Sequence, residues 1–399
     1  MGALLAFGFL FWLRRPAAAT QRRTRLRRYL AGVAVTITAI TILYTVATLR
    51  FQDLSTTVRY SRQLYVWLIV LAAPQFIRTR RNVERVAAFL AAYAGFSAVL
   101  YVAQAVTPPQ TVLRYSQQLI TGGQTRVWAT SLSAIYVGGL AIFAYQLRTR
   151  HSRGMLWVCF SACSLAIVMS QGRMLTGVFA VSIAAMLLHR AIVTHRIGLA
   201  VRVAATAAVL ILVCTAILWS ANRLDPLLDA WNHRLGELEV DVKAHEGSWT
   251  SRSAMFQYLP LVVERNGGGL LASCFGMGFR ALTPADLAPM TFWGVISPPI
   301  WADNGLAGVT FTFGYFGLGL FFLFVATMVW RLAAQFTRAG DPLSRSITLT
   351  AMLYFTFILP YMFFSAAFMG VWDDALAVVV MLIMAERSAA LRPRRAFAA

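Results

Sequence analysis

Three arginines, one aspartate and a set of glycines are the residues of this chain best suited to chemistry. Arg173 closes the short run Ser170-Gln171-Gly172-Arg173. Arg252 follows Ser248-Trp249-Thr250-Ser251, and small hydroxyl residues of this kind cap helix N-termini. Arg280 follows Phe275-Gly276-Met277-Gly278-Phe279, and Asp303-Asn304 stand just before Gly305. A basic residue in the first turn of a helix opposes the helix dipole, so an anionic partner would explain Arg252. The guanidinium fork matches phosphate oxygens in pairs. Gly276 and Gly278 would let backbone approach a bulky ligand closely. Asp303 would be a carboxylate at the membrane surface, facing the three arginines. The set suits an anionic, bulky partner held at the membrane surface.

Each residue also has a plainer reading. Arg173 would serve as an interface anchor. Arg252 would form an exposed pair with Glu246 or Asp241, which contributes little. Asp303 and Asn304 would cap the helix that follows them, and His233 and His245 would be solvated loop residues. Gly267-Gly268-Gly269 reads as a helix end and turn. What favours the chemical reading is that all these groups fall on one side of the topology.

That topology is a membrane one. Of 399 residues, 59% are hydrophobic and only 13% charged, roughly half the charged share of a soluble protein. The apolar residues run without period-two alternation, so helices and not barrel strands are expected. Eleven apolar segments are legible, at about 2–13, 29–49, 63–77, 86–106, 128–147, 154–169, 174–188, 203–219, 305–330, 347–371 and 375–385. They make one all-α membrane domain over 1–399, a bundle of about 11–12 spans. A large loop, 220–304, is inserted between spans. A loop of that length is usually functional, and apolar residues spaced through 227–265 predict surface helices within it. Loop 107–127 is a smaller element on the same side. The segment 2–13 is short for a span, and its basic cluster follows it, unlike a signal peptide.

The net charge of +21 does not indicate a nucleic-acid partner, because the arginines sit in short loops beside apolar runs. Connectors 14–28, 78–85, 148–153, 189–202, 331–345 and 387–395 hold 24 of the 36 basic residues. By the positive-inside rule they are cytoplasmic, with the C-terminus inside and the 220–304 loop outside. No Asp, Glu, Lys or Arg lies near the middle of a span, which disfavours an ion-coupled transporter. Cys159, Cys163 and Cys214 lie in apolar runs and read as small packing residues.

The ordered set resembles the O-antigen ligase and O-antigen polymerase superfamily. The resemblance rests on Ser170 to Arg173 followed by Leu175-Thr176-Gly177, then Arg252, Gly276 and Gly278, Asp303-Asn304-Gly305, and Gly314-Tyr315-Phe316-Gly317. It covers roughly 128–330. It implies a fold related to other lipid-linked-sugar (C-type) glycosyltransferases and a multi-pass protein of the bacterial inner membrane, active on its external face. The implied enzyme is metal-independent and cofactor-free. Its donor is an undecaprenyl-diphosphate-linked glycan and its acceptor a second glycan, with a chain-length regulator as a further partner of some members. On that reading Arg173, Arg252 and Asp303 are catalytic, and Arg280, Asn304, Gly276, Gly278 and Ser170 bind substrate. Ligases of the family usually carry His where this chain has Asp303, which favours a polymerase. A ligase transferring glycan to lipid A core, and a flippase of lipid-linked sugars, stay open.

Overall fold

The computed structural model describes residues 25–62, 64–107, 117–121, 124–128, 132–149, 154–170, 172–194, 269–279, 305–363 and 372–391, with isolated residues between them. Its elements are α1 (Arg25–Thr48), α2 (Leu54–Ser61), a 3-10 turn (Leu64–Trp67), α3 (Leu68–Phe76) and α4 (Arg80–Val106). Strands β1 (Gln117–Thr121) and β2 (Gln124–Trp128) come next. They are followed by α5 (Leu132–Gln146), α6 (Gly154–Met169), α7 (Arg173–Thr194), α8 (Leu270–Phe275), α9 (Gly305–Arg338), α10 (Pro342–Phe363) and α11 (Trp372–Ala390).

Five of the described helices are long and apolar enough to cross a bilayer: Arg25–Thr48, Arg80–Gln104, Met174–Ile192, Gly305–Arg338 and Pro342–Met362. The shorter apolar helices include Leu132–Gln146 and Gly154–Met169. α1 shows why the solvent around them is lipid. Its buried stripe is Leu26, Leu30, Ala34, Thr41, Thr45 and Thr48, while Val35, Ile42, Leu43 and Val46 are exposed. A water-soluble helix has the reverse pattern. The inward threonines return their hydroxyls to the helix, as Thr41 does to Ile37 O at 2.6 Å and Thr48 to Tyr44 O at 2.6 Å. This multi-pass helical membrane architecture agrees with the sequence.

The chain packs as two compact units, each built from separated segments. One comprises Met1–Val83, Asp241–Arg338 and Phe355–Ala399; the other comprises Glu84–Val240 and Ala339–Tyr354.

In the first unit the basic connectors meet at one end. The Arg331 guanidinium lies over the Tyr29 ring, 4.3 Å from its centre. Gln335 Nε2 donates to Ala385 O at 2.6 Å. Arg387 Nε donates to Ile77 O at 2.8 Å, and Arg80 Nη1 to Ser388 O at 3.3 Å. At the other end of α1, about 36 Å away at 1.5 Å per residue, Gln52 Nε2 donates to Phe279 O at 2.8 Å. In this second end Asp53 caps α2 by accepting from Thr56 N at 2.9 Å and Thr56 Oγ1 at 2.7 Å. The Thr56 side chain, then its backbone, holds the Asp53 carboxyl below its ordinary value. A depressed carboxylate contributes above its unfolded pKa and loses that contribution as pH falls through the folded value. Asp53→Ala will therefore melt slightly below the parent at pH 7. The gap will close below about pH 4, measured by thermal melting of the purified protein across pH.

In the second unit small residues set the helix spacing, as in membrane bundles generally. A Cβ on Gly95 of α4 would lie 2.8 Å from Cys159 Sγ of α6, and one on Gly139 of α5 would lie 3.0 Å from Cys163 Cβ. The two cysteines thus act as packing residues. The basic connectors converge here too. Burial first, then the charges of Arg190 and Arg345, push Arg148 down to about 10. The charge alternation legible in the sequence is thus a physical segregation of ends inside each unit.

Several boundaries differ from expectation. The segment read as loop 107–127 contains an antiparallel hairpin in which Thr121 pairs with Gln124, so the chain is not wholly helical. Trp128 belongs to β2, and the next helix begins at Leu132. The apolar run 174–188 is part of a 22-residue helix ending at Thr194. The run 305–330 extends to Arg338. The apolar runs 2–13 and 203–219 lie outside the described residues, apart from Ala205 and Trp219 of the latter.

Candidate functional site

Two pieces of the expected site are described, one in each unit. The first is the turn between α6 and α7. Its core is Ser170, which is buried. Ser170 Oγ donates to Ile167 O at 2.6 Å and accepts from Gly172 N at 3.2 Å. Thr176 N then donates to Gly172 O at 2.8 Å, the first bond of α7. The serine therefore ends one helix and starts the next. Its hydroxyl is engaged within the turn, where it positions backbone. Arg173 is the first residue of α7, where a cation opposes the positive end of the helix dipole. Within the 220–304 loop, Asp225, Leu228, Asp229, Trp231, Asn232 and Gly236 are helical, as the sequence implied. Trp231 Nε1 donates to Val168 O at 3.3 Å, which ties that loop to the end of α6 beside the turn.

The second piece is the Gly276–Gly278 element, which pairs with a break in α9. Gly314 has φ 70° and ψ −175°, so α9 is two helices joined at a kink. The break takes away the helical donors of Phe311 O and Thr312 O. Met277 N supplies the first at 2.8 Å and Gly278 N the second at 3.0 Å. Gly276 has φ 82° and Gly278 φ 73°. A Cβ on Gly276 would run into Thr312 O, one on Gly314 into Cys274 O, and one on Gly278 would stand 2.5 Å from Thr48 Oγ1. The close approach that Gly276 and Gly314 permit is thus of backbone to backbone, whereas Gly278 admits the Thr48 hydroxyl. α1 clamps the same element: Tyr44 OH donates to Phe275 O, and Phe279 N donates to Thr48 Oγ1 at 3.0 Å.

Arg252, Arg280, Asp303 and Asn304 lie outside the described residues, as does the Arg173 side chain. The residues that sequence reasoning missed are Tyr44, Thr48 and Gln52. Their signal was faint: polar side chains at the end of an apolar run, on one helical face.

The chain matches no protein-family model and no curated protein. What it does must therefore be argued from its own residues.

Proposed function

We propose that the protein is a metal-independent membrane glycosyltransferase that polymerises undecaprenyl-diphosphate-linked repeat units, on the external face of a bacterial inner membrane. The observation that carries this reading is the turn held by Ser170, which opens α7 on Arg173. α1 and α4 also open on arginines, but those belong to the basic connectors; Arg173 does not, and a diphosphate would offset its opposition to the helix dipole. The segregation of basic connectors from this turn within its unit supports a cytoplasmic and an external end. Arg173, Arg252 and Arg280 would compensate the charge of the departing diphosphate. Asp303 would accept the proton of the attacking hydroxyl, and Asn304 would bind beside it. A ligase would use the same groups with a different acceptor, and Asp303 in place of the usual His weighs against it.

One observation bears on the flippase reading. Broken helices in transporters expose carbonyls that coordinate ions or substrate. Here the carbonyls freed by the break in α9 are occupied by Met277 N and Gly278 N, so the kink has an architectural reason. A deletion strain separates the enzymes. Loss of a polymerase shrinks surface glycan to single repeat units on a gel, whereas loss of a ligase leaves full-length polymer on its lipid. Unaltered surface glycan in the deletion strain would remove both.

A further inference from the structure

We infer that the first unit carries a binding site for the phosphate of an anionic lipid headgroup, at the Arg-rich end of α1, α3 and α11. A cavity of about 150 Å³ opens there, roughly five water volumes. That is room for a phosphate and the start of its ester chain, and too little for a whole lipid. Its charged lining is Arg27, Arg28 and Arg387 against one carboxylate, Glu386. Arg387 and Glu386 are both buried, with Arg387 Nη1 3.9 Å from Glu386 Oε2. Since Arg387 Nε donates to Ile77 O, the guanidinium is fixed from two sides at the back of the cavity. Arg27 is half-buried and Arg28 exposed, so the positive charge continues to the mouth.

The rest of the wall is apolar. Leu30 of α1, Leu71 and Pro74 of α3 and Ile383 of α11 line it. A cleft lined by both cationic and aliphatic groups matches a phosphodiester joined to acyl chains. Basic pockets between membrane helices bind anionic headgroups for the same reason. The surplus of positive lining is also felt electrostatically. Burial depresses the pKa of Arg387, Glu386 opposes that shift, and Arg27 adds to it; an anion in the cavity would relieve the repulsion between the two arginines. The first 24 residues of the chain hold Arg14, Arg15, Arg22 and Arg23 and no acidic residue, so their side chains supply no counter-charge for these arginines. The site lies at the opposite end of α1 from Phe279.

Native mass spectrometry of the full-length protein, released from detergent, tests the assignment. Phosphatidylglycerol and phosphatidylcholine with the same acyl chains are the probes. The parent should retain phosphatidylglycerol in preference to phosphatidylcholine. The double variant Arg27→Gln/Arg28→Gln should lose about 30-fold of that retention, the effect of two charge contacts. Ala31→Phe keeps every charge and fills the wall, and it should lose the lipid as well. Removing two exposed arginines elsewhere, in Arg78→Gln/Arg338→Gln, should change nothing. Equal retention of the two lipids overturns the proposal, as does undiminished binding in Ala31→Phe. Displacement of the lipid by millimolar inorganic phosphate also overturns it, because the occupant is then a free anion. Should the Arg27/Arg28 variant fail to fold, Ala31→Phe alone decides.

Discussion

On the proposed polymerase reading, changing Arg173 to lysine will cut polymer formation by about 10²–10³-fold while protein abundance stays the same, the usual cost of removing one preorganised charge contact at a transition state. The substitution keeps the charge, so a mere electrostatic anchor would survive it. It removes the planar fork, which a diphosphate uses in two parallel bonds and an ammonium cannot reproduce. Lysine and arginine have similar helix propensity, so α7 will still begin at this residue. Ser170→Ala tests the positioning role separately. It deletes the bond to Ile167 O and the acceptor for Gly172 N, at about 1 kcal/mol each, and should lower thermal stability together with activity. Surface glycan on a gel, beside an immunoblot for the protein, reads both variants. Arg78→Lys, an exposed arginine on another connector, serves as control and should leave the ladder unchanged. A normal ladder in the Arg173→Lys strain would end the proposed diphosphate contact.

How much of this was legible in the sequence depended on whether the cause lay nearby in the chain. Helix Gly154–Met169 was readable to the residue, because Gly154 opens it and the Ser-Gln-Gly turn closes it. The helix ending at Thr194 was read short because the apolar run stops at Leu188. Helical backbone does not stop where apolar side chains do, since His189 and Arg190 can lay their stems along the bundle and present their polar heads outward. The same holds for α9, which continues past Trp330 to Arg338. The hairpin carried a local signal that the prolines at 108 and 109 overshadowed. Gly122-Gly123 falls between two five-residue strands, the favoured two-residue hairpin connection. Of the candidate site, the Ser170 turn was visible as a motif because Ile167 and Gly172, which its hydroxyl bonds, lie within a few positions. The partner of the Gly276–Gly278 element was not, because it sits more than thirty residues further along, in the middle of an apolar helix.

That partner sets the other large effect: Gly314→Ala will destabilise the protein severely, and Gly319→Ala, five residues later in the same helix, will not. Gly314 at φ 70° and ψ −175° and Gly276 at φ 82° and ψ 179° occupy backbone regions that only glycine adopts readily. Forcing another residue there costs about 1–3 kcal/mol at each position. The added Cβ of Gly314 would also collide with Cys274 O, a backbone atom that cannot swing aside as a flexible side chain would. One escape remains. α9 can straighten, returning Phe311 O and Thr312 O to helical donors and expelling Met277 N and Gly278 N. Alanine at 314 favours that escape, because it suits a continuous helix better than glycine by about 1 kcal/mol. Hydrogen exchange will then show lost protection at Met277 and Gly278, while α1 loses its contacts with Phe275 and Phe279. At Gly319 a Cβ meets nothing within 4 Å, so alanine there should be neutral or mildly stabilising. Gly276→Ala should match Gly314→Ala, and the double variant should cost little more than either, because both glycines serve one backbone contact. Thermal melting of the four variants reads the pattern. Parent-like melting of Gly314→Ala, or an equal loss in Gly319→Ala, would mean that the kink in α9 is not what holds the element in place.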